Sequence, residues 1–225
     1  GWDIFCDAWQ DNDTYNRFSG MTVKLAGDIG SLENPVTRMA GTSDHDFCGI
    51  FDGQNHTLYV NISSDDRDYT APFSYVSTAK ANPGDENNSP AVIRNLEVVG
   101  DINATKQYAG GIVCCFWGTL TIENCTSNVV TNTNSKHAAG FIGRAQGDVT
   151  ITNCNSSSTI ISTVSGDGTH GGFIGGSKSD ITIDITGCVF GGSLIGNNTT
   201  HCSGFVGYNS GTLSITNSLF YPGQV

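Results

Sequence analysis

Positive charge is scarce in this chain of 225 residues: ten Lys and Arg stand against 21 Asp and Glu, a formal net charge of −11. The ten are scattered from Arg17 to Lys178. Binding to a phosphate backbone or an anionic membrane needs clustered cations, so neither nucleic acid nor membrane insertion is expected. No apolar run approaches the ~20 residues of a membrane span. Proline is rare, at five, and only 14% of residues are charged while 37% are hydrophobic, which excludes a disordered composition. There is no initiator methionine and no signal peptide before Gly1-Trp2, which reads as a chain trimmed at its start.

What the sequence has is repetition. Gly140-Phe141-Ile142-Gly143 recurs as Gly172-Phe173-Ile174-Gly175 and Gly204-Phe205-Val206-Gly207, with a looser copy at Gly111-Ile112-Val113-Cys114. The first glycines are 29, 32 and 32 residues apart, the size of one repeat unit. Each copy is followed by an alternating phrase. Aligning these phrases places Ile93, Ile122, Ile151, Ile185 and Ile215 in one column and Ala91, Leu120, Val149, Ile183 and Leu213 in another. The columns are two residues apart, so both face one side of a strand, and the residues between them, such as Thr121, Thr150 and Asp184, are polar. A period of two nested in a period near 30 predicts a parallel β-helix whose coils stack about 4.8 Å apart. Three strands per coil are expected, near Phe141, Ile151 and Ile160. Asn95, Asn124, Asn153, Gly187 and Asn217 form a further column, expected at a corner where amides stack.

The eight cysteines fit this register better than they fit a disulfide framework. Cys125, Cys154 and Cys188 share one position in successive repeats and read as a buried column. A bridge between Cys6 and Cys48, or one to Cys202, stays open. Ahead of the repeats, Trp2 to Phe18 carries an approximate 3.6 periodicity and predicts a helix that caps the open end of the coil. Met21 to Ile29 alternates as a strand, Asp52-Gly53 punctuates two strand-like runs, and Thr78 to Pro90 reads as a solvated excursion. The division is therefore a helical cap over residues 1–20 and a β-helix over 21–225.

At these residues the chain resembles the GLUG-motif repeat family of bacterial surface and secreted proteins, named for a Gly-Leu-x-Gly-type phrase that has Phe for Leu in three copies here. Gly49-Ile50-Phe51-Asp52-Gly53-Gln54-Asn55-His56-Thr57-Leu58 also resembles the stretch that precedes such repeats, as does the segment from Val23 to Ile29. The resemblance covers most of residues 20 to 218. It implies an all-β, single-stranded right-handed parallel β-helix. Such solenoids occur in cell-wall proteins of gut anaerobes and in the amino-terminal part of bacterial immunoglobulin A metalloproteases. It supplies no catalytic residues.

Candidate chemistry is sparse. His137, His170 and His201 precede the three best glycine phrases, with Cys202 beside the last, and His with Cys is a metal-binding combination. Their register opposes it. His137 and His201 stand three residues before their glycine and His170 only two, so its side chain should point the other way. The acidic loops Asp44-His45-Asp46 and Asp65-Asp66-Arg67-Asp68 offer oxygen ligands without an established calcium-loop spacing. No catalytic, cofactor-binding or metal residue is assigned, and no cofactor is expected. A polysaccharide lyase or glycoside hydrolase would need carboxylates that converge, and Glu123, Asp148, Asp180 and Asp184 stand at different offsets. The expected role is a non-catalytic secreted or cell-surface module that binds a glycan or host protein. The alternatives are a structural stalk within a larger surface protein, since no second cap is visible after Tyr221, and a carbohydrate-active enzyme. Neighbouring domains of a longer chain are possible partners.

Overall fold

Alternating apolar residues give each strand a dry side, and these sides coincide from coil to coil. In the computed structural model, residues 1–8, 18–42, 45–64, 66–78, 90–164, 166–196 and 199–223 are described. They form an all-β parallel solenoid of about six coils with a short N-terminal helix. Ile93, Ile122, Ile151, Ile185 and Ile215 pair in parallel register, as do Ala91, Leu120, Val149, Ile183 and Leu213. The first four side chains of each column are at most 2% exposed. Both columns are therefore core.

A representative coil holds an inbound strand, His137–Ala139; an outbound strand, Ile142–Ala145; and then Asp148–Thr152, Asn155–Ser156 and Thr159–Ser162, which lie in one long sheet. The inbound and outbound strands each stack into a sheet of five. The glycine phrase, expected as one strand, is instead the joint between two. The long sheet bends at the asparagine column: Asn95, Asn124, Asn153 and Asn217 have φ of 52°, 53°, 54° and 49°, and Gly187 has 66°. Asn and Gly are the residues that tolerate this left-handed backbone. The amides stack as expected at one step, where Asn124 Nδ2 donates to Asn95 Oδ1 at 3.3 Å, and Asn95 Nδ2 donates to Asp52 Oδ1 at 3.0 Å. Just inside the bend, Cys125, Cys154 and Cys188 are buried. The sulfurs of Cys154 and Cys188 accept the amides of Cys125 and Cys154, each at 3.4 Å. All eight cysteines are free thiols, Cys6 and Cys48 included.

The cap is shorter than the periodicity predicts. Its helix runs Trp2–Asp7, and Phe18 stands in a turn with φ 67°. Residues 9–17, including Asp11, Asn12 and Asp13, lie outside the described residues, as does most of the segment from Thr78 to Pro90. Six residues suffice to cover the first coil. Trp2 and Cys6 are buried, and the ring of Phe5 lies 5.4 Å from Phe51 and 5.9 Å from Phe47. Arg38 ties the helix down by a 2.6 Å ion pair to Asp7, and Trp2 Nε1 donates to the Arg38 carbonyl at 2.8 Å. The first coil also departs from the expected punctuation. Ile50–Ser63 is one strand whose register shifts between Asp52 and His56, where Gln54 and Asn55 take φ of 51° and 63°. The alternation from Met21 to Ile29 resolves into a strand at Thr22–Lys24 and an isolated bridge of Ile29 to Leu58.

Candidate functional site

The site begins at the glycine phrases. The inbound strand runs into the solenoid, the chain reverses at Gly140-Phe141, and the outbound strand returns. Glycine is required because the tip touches backbone and the far sheet. A Cβ on Gly140 would stand 2.4 Å from Ser156 Oγ and 2.5 Å from the Gly172 carbonyl. The tip phenylalanines fill the space: Phe173 lies stacked on Phe205 at 5.5 Å and tilted against Phe141 at 4.7 Å. Behind them the two arms meet backbone to backbone: a Cβ on Gly143 would lie 2.7 Å from the Ala109 carbonyl oxygen. Beyond this contact, side chains of the two arms fill the crevice between them along the solenoid axis.

Two columns of side chains line that crevice. Tyr69, Tyr108, His137, Thr169 and His201 come from the inbound strands. Tyr75, Cys115, Arg144, Gly176 and Tyr208 come from the outbound ones. Tyr69, Tyr108 and His137 stack at 5.5 and 5.4 Å with planes within 9° and 6°. Tyr69 meets Tyr75 edge-on at 4.9 Å, and His201 meets Tyr208 at 5.2 Å. Arg144 Nη1 donates to His137 Nε2 at 3.3 Å. A guanidinium can only donate, so this nitrogen is the acceptor and Nδ1–H donates to Thr169 Oγ1. Gly176 makes room for the pair, since a Cβ there would stand 2.7 Å from His137 Nδ1. The Cys115 thiol, pushed up to about 12 by burial, accepts from Gln146 Nε2 at 3.0 Å. Tyr75, its phenol likewise raised by burial, accepts from the Trp117 indole nitrogen.

Two residues farther out along the outbound strands, Trp117, Gln146 and Lys178 continue this surface. None of the five outbound strands contains Asp or Glu. The long sheet is the reverse: its strands carry Asp52, Glu97, Asp101, Glu123, Asp148 and Asp184, against Lys24 and Arg94.

The histidines fall as their spacing implies. His137 and His201 share a column with the Thr169 coil between them, whereas His170 pairs with Ala138 and Cys202 in the adjacent, inward column. His170 is 2% exposed. Burial lowers its pKa, an effect partly offset by the Ser135 carbonyl 3.4 Å from Nε2, and the exposed Cys202 sulfur lies 4.0 Å from Nδ1. Among the described residues no three His, Cys, Asp or Glu side chains gather into a possible ion site. Asp68 accepts from Gln107 at 3.2 Å and Asp46 is buried, while Asp44 and Asp65 lie outside the described residues. Asp52, in the stretch ahead of the repeats, is a structural clamp: it accepts from Gln54 N, Asn95 Nδ2 and Arg94 Nε at 3.0, 3.0 and 3.1 Å. A separate apolar hollow of about 300 Å³ lies beneath the cap, lined by residues including Trp2, Phe5, Val23, Leu25 and Phe51.

No family model and no curated protein matches the chain. A solved structure does: a Bacteroides ovatus protein described as a candidate immunoglobulin A1 protease, with TM-score 0.67 and 21% identity. The match covers 92% of this chain and 61% of the other, so the chain spans about three fifths of its neighbour's length. At this identity the likeness is one of fold.

Proposed function

We propose that this solenoid is a non-catalytic secreted or cell-surface module that binds a glycan or host protein on the outer wall of its outbound sheet. The observation that carries the reading is a pair of exposed aromatics on a wall with fixed register. Trp117 is 42% and Tyr208 40% exposed, and three coils separate them, about 14 Å along the axis. Trp and Tyr give broad, rigid, amphipathic contact area at little conformational cost, and Trp117 is already held by Tyr75. The neighbour's description points to a host immunoglobulin, which supports retaining a protein among the ligands.

A stalk within a larger surface protein is the second reading. An apolar edge favours it: Leu213, Ile215 and Phe220 are 36–46% exposed, although each continues a column whose earlier members are core.

Glycan and host-protein arrays probed with wild type and with Trp117→Ala/Tyr208→Ala test the first reading. The expected result is a ligand whose affinity falls at least about tenfold in the double variant, as for loss of a central aromatic contact. Arrays with no ligand would refute it. Shortened glycan chains after incubation would favour the carbohydrate-active enzyme instead.

A further inference from the structure

Charge, rather than ring contact alone, distinguishes the outbound wall. On a chain of net charge −11, a wall whose strands lack any carboxylate is the exception, and it carries Arg144 and Lys178 on successive coils. Among the described residues neither forms an ion pair with a carboxylate. The nearest acid in sequence, Asp180, stands past Lys178 at a corner with φ 61°. Arg144 is also held in place. His137, stacked on Tyr108 and hydrogen-bonded to Thr169, accepts one of its protons, and among the described residues its other donors make no hydrogen bond. A guanidinium fixed this way has less ordering to do when it meets an anionic group than a mobile side chain would.

We infer that this wall takes an acidic polysaccharide lying along the solenoid axis. Its carboxylate or sulfate groups meet Arg144 and Lys178, and its sugar rings rest on Trp117 and Tyr208. The inference rests on the glycan reading above and narrows it to a charged class. The wall attracts anions, and its exposed rings favour a polymer that offers sugar faces between its charges. Two cations flanked by two rings suit a chain in which charge is interspersed with sugar faces.

The test is binding of the whole protein to polygalacturonate, to the same polymer fully methyl-esterified, and to dextran sulfate, by isothermal titration at low and at physiological salt. Saturable binding to polygalacturonate or dextran sulfate is expected, weakening as salt rises, and at least about tenfold weaker for the esterified polymer, since each hydrogen bond to a charged group is worth about that factor or more. The two acidic polymers tell carboxylate from sulfate. Lys178→Gln changes an exposed side chain with no hydrogen bond partner among the described residues, so it should fold normally and weaken acidic binding about tenfold. Asp184→Asn, on the long sheet, should leave binding unchanged. Equal affinity for both forms of the polygalacturonate, or an unaltered Lys178→Gln, overturns the acidic-ligand inference while the glycan module stands. Binding to none of these and to no glycan on the array sinks both.

Discussion

Gly175 gives the sharpest test of the re-entrant joint. A Cβ there would stand 2.6 Å from the Gly143 carbonyl oxygen, 2.9 Å from Ala138 N and 3.0 Å from the Ala138 carbonyl oxygen. All three are backbone atoms of the preceding coil, and all belong to a paired strand or to the joint itself, so none can swing aside as a side chain could. Overpacking costs about 1–3 kcal/mol, and immovable neighbours place Gly175→Ala in the upper half of that range. For a chain of this length about 1 kcal/mol moves the melting temperature by 2–4 °C, so a drop of about 4–12 °C is expected by circular dichroism or scanning calorimetry. Gly27→Ala is the control, with nothing within 4 Å of its Cβ position and no left-handed φ. It should be neutral or raise stability by up to about 1 kcal/mol. If Gly175→Ala melts within a degree of wild type, the two arms are not in backbone contact and the crevice between them is not built as described.

Other predictions follow from the same packing. Phe173→Ala removes a wholly buried ring packed between Phe141 and Phe205 and should cost about 3–5 kcal/mol in urea unfolding. Asn153→Ala forces a left-handed corner onto a residue that resists it, for about 1–2 kcal/mol, whereas Asn153→Gly should be nearly neutral, as the native Gly187 at the same corner suggests. Burial raises the Asp52 carboxyl, but hydrogen bonds from Asn95, Gln54 and Arg94 outweigh it and hold the pKa below the ordinary 3.8. A depressed pKa gives stability that is full above that ordinary value and lost as pH falls through the folded one. Asp52→Asn should therefore cost about 1–3 kcal/mol at pH 7, and the gap to wild type should narrow as the pH falls below that ordinary value. In the native protein a thiol reagent should modify Cys202 rapidly and spare the seven buried cysteines.

The architecture was legible because its two periods are strict. Ile122, Ile151 and Ile185 align by counting residues, and the same counting puts His170 out of register with His137 and His201, as the strand pairs show. What alternation does not encode is the joint. In Gly140-Phe141-Ile142-Gly143 two adjacent apolar residues are both buried, a departure from the one-sided alternation of the long sheet, and the flanking glycines are there for close backbone approach. That break in alternation was the available signal that the phrase joins two strands rather than forming one. The wall escaped for a different reason. Trp117 and Lys178 stand six residues after their first glycine and Arg144 and Tyr208 four, so counting puts them on one face, but four different residue types leave no repeated letter to draw attention to it. The lack of acids in the stretches after each glycine phrase, in a chain with 21 of them, was the trace left in the sequence.

The central claim is that successive coils lie directly over one another, since the crevice and the wall exist only if they do. Nitroxides attached at Thr121→Cys and Asp184→Cys in a Cys202→Ser background measure this. Thr121 pairs with Thr150 and Thr150 with Asp184, two coils apart, about 10 Å. Strong dipolar broadening of the continuous-wave spectrum relative to the two singly labelled proteins is the predicted result. Spectra that simply add, with no broadening, would contradict it.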